Sequence, residues 1–339
     1  MNLSHLYISD DYSGLKDIIA GERSVFLIHD INVSEAAESL GINNKLALDI
    51  SEADKTIDTA MDICRFLLET GADRGSLVLA MGGGVTTDTV GFAACIYKRG
   101  VRFATLPTTL LGQVDAGIGG KTGVNLDGYK NILGCIRQPE WIYAAHSVLD
   151  TLPEREYRCG VAELLKTFLI ADAGAYAQAV RTLKDTGKVT AEMVRNAAGI
   201  KLDIVRQDPF EDGLRRRLNL GHTIGHAIEW WQTGQKERLT HGEAVAIGIV
   251  QAARLSEAAG ACAKGLAARL EKDFQDIGLP VECPVECPVE PSVLADAIAK
   301  DKKAEGDGIH FVLLKDIGSV EVRLMGISDI INLLETTSL

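Results

Sequence analysis

The sequence predicts an α/β domain followed by a mainly α-helical one, and three observations carry that prediction. Short apolar runs alternate with helical patterns through the first half. From near Thr151 the texture changes to one helical pattern after another. A length of 339 residues suits two domains at roughly 150 residues each. We place them at residues 1–150 and 151–339.

In the first half, residues 24–30 (SVFLIHD) and 45–50 (KLALDI) read as strands, with a helical stretch over 34–40 between them. Residues 55–72 carry apolar side chains at helical spacing and predict a long amphipathic helix. The run SLVLAMGGG (76–84) reads as a buried strand entering a glycine turn. A helix over 89–100 and a strand over 101–107 follow. Strand–helix alternation of this kind implies parallel pairing. Residues 107–131 are glycine-rich and polar, and read as a long irregular loop. In the second half, helical patterns cover 153–172, 175–184, 190–206, 219–231, 241–259, 263–276 and 291–303. A short hairpin is expected around Asp316–Ile317–Gly318. The tandem repeat PVECPVECPVEP (280–291) carries too many prolines for a helix and reads as a surface connection.

Composition excludes several functions. A net charge of −12 argues against nucleic acid or an anionic membrane as partner. Seven cysteines without a C-x-x-C fit reduced thiols better than a disulfide framework. The N-terminal residues lack an apolar signal core, so a cytoplasmic protein is expected.

Five segments offer chemistry. GGGVTTD (82–88) ends a strand and opens a helix, where backbone N–H groups and the helix dipole favour a phosphate. A turn that simply needs glycine at positive φ explains it as well. Lys121 follows Gly119–Gly120, and Lys130–Asn131 follows Gly128. Lysines displayed on glycine loops suit an anion, although either one alone is ordinarily a solvated side chain. In GVAELLK (160–166), Glu163 and Lys166 share a helix face, as a surface ion pair also would. Lys201 continues the apolar stripe of Val194, Ala197 and Ala198, so it must snorkel or meet an anion. Finally, three of seven histidines, His222, His226 and His241, lie within 20 residues of one another. Helical spacing alone pairs His222 with His226. Catalytic zinc takes three protein ligands and keeps one position open.

Together, GGKTGVN…KN, GVAELLK, GLRRRLNLGHTIGHAIE and HGEAVAIG resemble the 3-dehydroquinate synthase family of sugar-phosphate cyclases, over roughly residues 24–315. The resemblance implies an α/β nucleotide-binding domain, a helical metal- and substrate-binding domain, and conversion of 3-deoxy-D-arabino-heptulosonate 7-phosphate to 3-dehydroquinate and phosphate. It implies NAD, held by Asp30, Asn32, Glu52, Lys55, Gly83, Gly84, Asp88, Thr108 and Thr109, with Lys121 and Lys130. It implies Zn²⁺ or Co²⁺ on Glu163, His222 and His241, which moves His226 from the metal to the substrate. Catalytic roles fall to Lys121, Lys166, Lys201, Glu211, Asn219 and His226. Substrate contacts fall to Arg99, Asp115, Lys130, Asn131, Arg215 and one of Lys302 and Lys303. A homodimer is implied as well, Arg99 completing the neighbouring subunit's site. The sequence departs from the family at Pro209, at Thr86–Thr87 and in the PVEC repeat. Sister cyclases forming an inosose or valiolone share the machinery, but Lys130–Asn131 and Asn219 match the dehydroquinate pattern. A metal- and NAD-dependent alcohol dehydrogenase of the glycerol dehydrogenase type is the more distant alternative.

Overall fold

The structure is a computed structural model, and it describes residues 4–232, 238–283, 304–305 and 308–336. It separates into two compact units, Met1–Pro153 and Glu154–Leu339.

The first unit is built on a sheet of six parallel strands: β1 (His5–Ser9), β2 (Val25–Asp30), β3 (Asn44–Leu48), β4 (Leu77–Gly82), β5 (Arg102–Pro107) and β8 (Trp141–Ala145). Their spatial order is β1-β8-β5-β4-β2-β3. The chain runs outward from β2 to β3, then returns to place β4 on the other side of β2. That reversal makes the carboxyl ends of β2 and β4 the switch point, where open α/β sheets bind ligands. Asp30 ends β2 and Gly82 ends β4. β4 is buried along its whole length, as a central parallel strand must be. Helices α1 (Leu15–Ile19), α2 (Ser34–Ser39), α3 (Ile57–Glu69) and α4 (Gly84–Ile96) connect the strands. Ile63 and Leu67 of α3 and Val90 of α4 form one core with Ile28 and Val78. Leu27, Leu79 and Leu106 point the other way into a second core, as alternation along a strand requires.

Two expectations fail here. The helix expected from residue 89 begins at Gly84, because the threonines of the glycine segment are buried helix residues. Residues 107–131 are not an irregular loop. A short π-helical turn (Gly112–Ala116) leads into an antiparallel hairpin, β6 (Lys121–Leu126) and β7 (Tyr129–Ile136). Asp127 and Gly128 turn it with φ of 50° and 82°, and Asp-Gly between apolar runs is a strong hairpin signal.

The second unit contains α5 (Glu154–Ala171), α6 (Ala173–Thr186), α7 (Ala191–Gln207), α8 (His222–Trp231), α9 (His241–Ala258), α10 (Leu266–Asp276) and α11 (Ile327–Thr336). A small antiparallel sheet joins them, made of β9 (Ala304–Glu305), β10 (Gly308–Asp316) and β11 (Ser319–Gly326). α11 was not expected from the sequence. The expected helix over 291–303 and most of the PVEC repeat lie outside the described residues. No helix among the described residues is long and apolar enough to cross a membrane.

Candidate active site

In the first unit, the candidate cofactor residues gather at the switch point. α4 is capped by Gly83, and its first turn presents N–H groups that no carbonyl of the helix can accept. Gly82, Gly83 and Gly84 are absent from the positive-φ glycines, so turn geometry is not why glycine stands there. Space is the reason. A Cβ on Gly82 would lie 2.6 Å from the Thr86 side chain, and one on Gly84 would lie 3.0 Å from Ala116. Thr86 Oγ1 donates toward Asp30 Oδ2 at 3.4 Å, and Thr87 Oγ1 donates to the Gly83 carbonyl at 3.2 Å. The threonine pair that departs from the family thus braces the turn. Asp30 Oδ1 accepts from the Asn32 amide N–H and side chain at 2.9 and 2.8 Å, which leaves the carboxylate held at the end of its strand.

Lys55 is buried, and its Nζ donates to Asp88 Oδ2 at 2.7 Å and to Asn131 Oδ1 at 2.6 Å. Asn131 sits at φ 51°, and its N–H is taken by Asn125 Oδ1 at 2.9 Å. Asn125 also donates to Glu52 Oε1 at 2.9 Å. Glu52, Lys55, Asp88 and Asn131 are therefore one connected group, in which Asn125 is a linking residue that sequence reasoning missed. Asp88, Lys121 and Asn131 line an open groove of about 400 Å³ beside the hairpin. Thr108 is buried and donates its N–H to the Gly82 carbonyl at 2.9 Å. Thr109 Oγ1 accepts from Gly112 N–H at 3.0 Å, just before Asp115 in the π-helical turn. Lys130 and Arg99 are exposed, and Arg99 sits at φ 66° where the chain leaves α4.

In the second unit, Glu163 and Lys166 are not a surface pair. Both are buried, with Nζ 2.5 Å from Oε2. His222 Nε2 lies 3.5 Å and His241 Nε2 3.4 Å from Glu163 Oε1. Their candidate ligand atoms all fall within 4.8 Å of one another. His226 stacks edge-on to His222 at 5.2 Å between ring centroids, and it shares a second such group with Glu229 and His241.

The helices reach this closeness through glycine. α9 starts against α5, where Gly242 N–H donates to Cys159 Sγ at 3.0 Å and a Cβ would lie 2.5 Å from Cys159 Cα. α8 meets α9 where a Cβ on Gly248 would run into the Gly221 carbonyl. Thr240 and Glu243 form a capping box, and Arg155 Nη2 donates to Glu243 Oε2 at 2.7 Å. His241 therefore starts its helix in a fixed place.

This donor set suits a divalent cation. The Glu163 carboxylate is fully buried, with the Lys166 ammonium on Oε2, while Oε1 faces the two imidazole Nε2 atoms at 3.5 and 3.4 Å, a spacing that suits a shared cation better than a direct hydrogen bond. Burial pushes its pKa up, but the Lys166 charge and the His241 ring outweigh burial and hold the group ionised, below the usual carboxylate range. Burial pulls His241 down, and Glu163 and Glu229 outweigh that and raise it. Such a site attracts positive charge.

The remaining candidates lie on α7 and the turn after it, which pack against α5. Lys201 is buried on α7. Arg215 is buried, and its guanidinium donates to the Pro209 carbonyl at 2.8 Å, a contact that proline leaves intact. Asn219 Nδ2 donates to Glu211 Oε1 at 2.6 Å. Asp208, missed in the sequence, accepts from the N–H groups of Asp212, Gly213 and Arg215. Burial raises its pKa, but these N–H groups and the Arg215 charge more than offset it. Lys302 and Lys303 lie outside the described residues.

Comparison with known proteins agrees with the resemblance along the chain. The 3-dehydroquinate synthase N-terminal family matches residues 45–159, and the C-terminal family matches 160–304. The 3-dehydroquinate synthase of Geotalea uraniireducens is 40% identical, over 86% of this chain and 81% of its own length. That of Leptospira interrogans is 38% identical, over 93% and 89%. Among solved structures, the 2-epi-5-epi-valiolone synthase of Streptomyces hygroscopicus, with NAD⁺ and Zn²⁺ bound, superposes with a TM-score of 0.86 at 28% identity, covering 99% of this chain and 97% of that one. With both halves matched in order and curated relatives alike over more than four fifths of their own length, the chain belongs to the 3-dehydroquinate synthase family.

Proposed function

We propose that the chain is a cytoplasmic 3-dehydroquinate synthase, a phosphate-eliminating carbon–oxygen lyase that uses NAD and Zn²⁺ or Co²⁺. The observation that carries the proposal is the convergence of Glu163, His222 and His241 on one point, in a chain related to these enzymes over most of its length. When bound, the metal would polarise a substrate hydroxyl, and NAD would take up and return one hydride, which makes the overall reaction redox-neutral.

The chain's own residues do the rest. The first-turn N–H groups of α4 suit the pyrophosphate of NAD, and Asp30 and Glu52 suit its ribose hydroxyls. Lys166, Lys201 and Arg215 bring positive charge into the second unit. They answer the anionic substrate within a protein of net charge −12, and preorganised cations of this kind stabilise a departing phosphate. Burial fixes these side chains, so little reorganisation accompanies binding. His226, beside the metal group but not needed to complete it, is left for the substrate, as are Glu211 and Asn219. The test is direct. The metal- and NAD-loaded protein should release phosphate from 3-deoxy-D-arabino-heptulosonate 7-phosphate and form 3-dehydroquinate. Release from a different sugar phosphate alone would favour the inosose- or valiolone-forming alternatives.

Arg99 extends the proposal to a homodimer. Its planar fork suits a phosphate better than an ammonium does, and it is exposed at the end of α4. We assign it to the site of the partner subunit. Arg99→Ala and His222→Ala chains should each be nearly inactive, and mixing them under subunit exchange should restore activity through heterodimers with one intact site. Heterodimers that form without activity would place Arg99 in its own chain's site or in none.

A further inference from the structure

We propose that Glu229 is a positioning residue for the metal site. Its carboxylate accepts a hydrogen bond from His241 Nδ1–H and so fixes the ring nitrogen that faces Glu163 and His222. The inference rests on the metal reading of that group. Glu229 lies on α8, three residues after His226 and seven after His222, so the three share one helix face. Its Oε2 is 3.2 Å from His241 Nδ1, while His241 Nε2 is 3.4 Å from Glu163 Oε1 on the other side of the ring. A neutral imidazole carries one proton. With Nδ1 donating to Glu229, Nε2 keeps its lone pair for a cation. His222 repeats the device with a backbone acceptor: Nδ1 is 3.2 Å from the Leu220 carbonyl, and Nε2 is 3.5 Å from Glu163 Oε1. Both rings are thus anchored through Nδ1 and converge through Nε2. Metal-binding histidines are commonly oriented and made more basic in this way.

The same geometry offers a competing role, since His226, Glu229 and His241 also lie within 4.8 Å of one another and Glu229 could be a direct ligand. Burial favours the first assignment, because the side chain of Glu163 is 0% exposed and that of Glu229 is 15% exposed. The test uses full-length protein stripped by chelation and titrated with Zn²⁺ or Co²⁺ against a competing dye. Glu229→Ala should weaken binding about 10–100-fold without moving the visible bands of the Co²⁺ form, since the ligands are unchanged. Glu229→Gln, whose amide oxygen still accepts from Nδ1–H, should recover much of that loss. Melting of the apoproteins separates these effects from misfolding, and Glu229→Leu, which keeps more of the volume, replaces the alanine variant if that one fails to fold. Unchanged affinity in Glu229→Ala or Glu229→Leu would overturn the assignment. Shifted Co²⁺ bands, with glutamine no better than alanine, would make Glu229 a ligand. If the unaltered chain binds neither ion, the metal reading fails, and this one with it.

Discussion

Glu163→Gln should purify without its divalent cation and lose more than a hundredfold in turnover. Removing a mere supporting partner of a metal ligand already costs about 10–100-fold, and among the described residues Glu163 is the carboxylate on which both imidazole Nε2 atoms converge. A second effect accompanies the first. Lys166 is as buried as Glu163, and breaking a buried pair from one side costs about 3–5 kcal/mol. The two effects can be separated. Glu163→Gln combined with Lys166→Met removes both charges and should recover most of the melting temperature, while the metal stays lost. Elemental analysis after gel filtration, beside thermal melting, reads both. Full metal occupancy in Glu163→Gln would remove Glu163 from the ligand set.

Gly242→Ala and Gly248→Ala should be the most damaging small substitutions in the second unit. At Gly242 a methyl would press into the backbone of Cys159, and at Gly248 into the Gly221 carbonyl. Neither obstacle is the far end of a flexible side chain, so the helices themselves must part. Overpacking costs about 1–3 kcal/mol and occasionally more, and with backbone as the obstacle the upper end, about 3 kcal/mol, is expected here, or roughly 6–12 °C in melting temperature for a unit of this size. It should also weaken metal binding, because α5, α8 and α9 each carry one ligand. Gly199 is the control. It lies within α7 with nothing near its missing Cβ, so Gly199→Ala should stabilise by about 0.5–1 kcal/mol. Equal melting temperatures for Gly199→Ala and Gly242→Ala would refute the close-packing account.

These glycines show where the sequence was legible and where it was not. The central strands β2, β4 and β5 were plain, since buried parallel strands are continuous apolar runs. The hairpin β6–β7 was hidden because its glycines and lysines look like loop residues, although Asp127–Gly128 announces the turn. The glycines at 82–84, 242 and 248 look like breakers, yet each serves close approach, and space in a partner element cannot be seen in one segment. The metal group shows the same limit. Periodicity pairs His222 with His226 because it reports one helix only. Glu163, about sixty residues away, enters through the fold or through resemblance. Glu229 was within reach of periodicity, on the face shared by the two histidines, but its role depends on a ring contributed by α9.

As proposed, this chain eliminates phosphate through a transient oxidation that it reverses in the same turnover. The most direct measurement follows phosphate release and absorbance at 340 nm together, with the heptulosonate phosphate in excess over NAD and NAD in excess over enzyme. Many phosphates should be released per NAD, with no sustained rise at 340 nm. Absorbance that climbs in step with turnover, without phosphate release, would contradict it and make the chain a dehydrogenase.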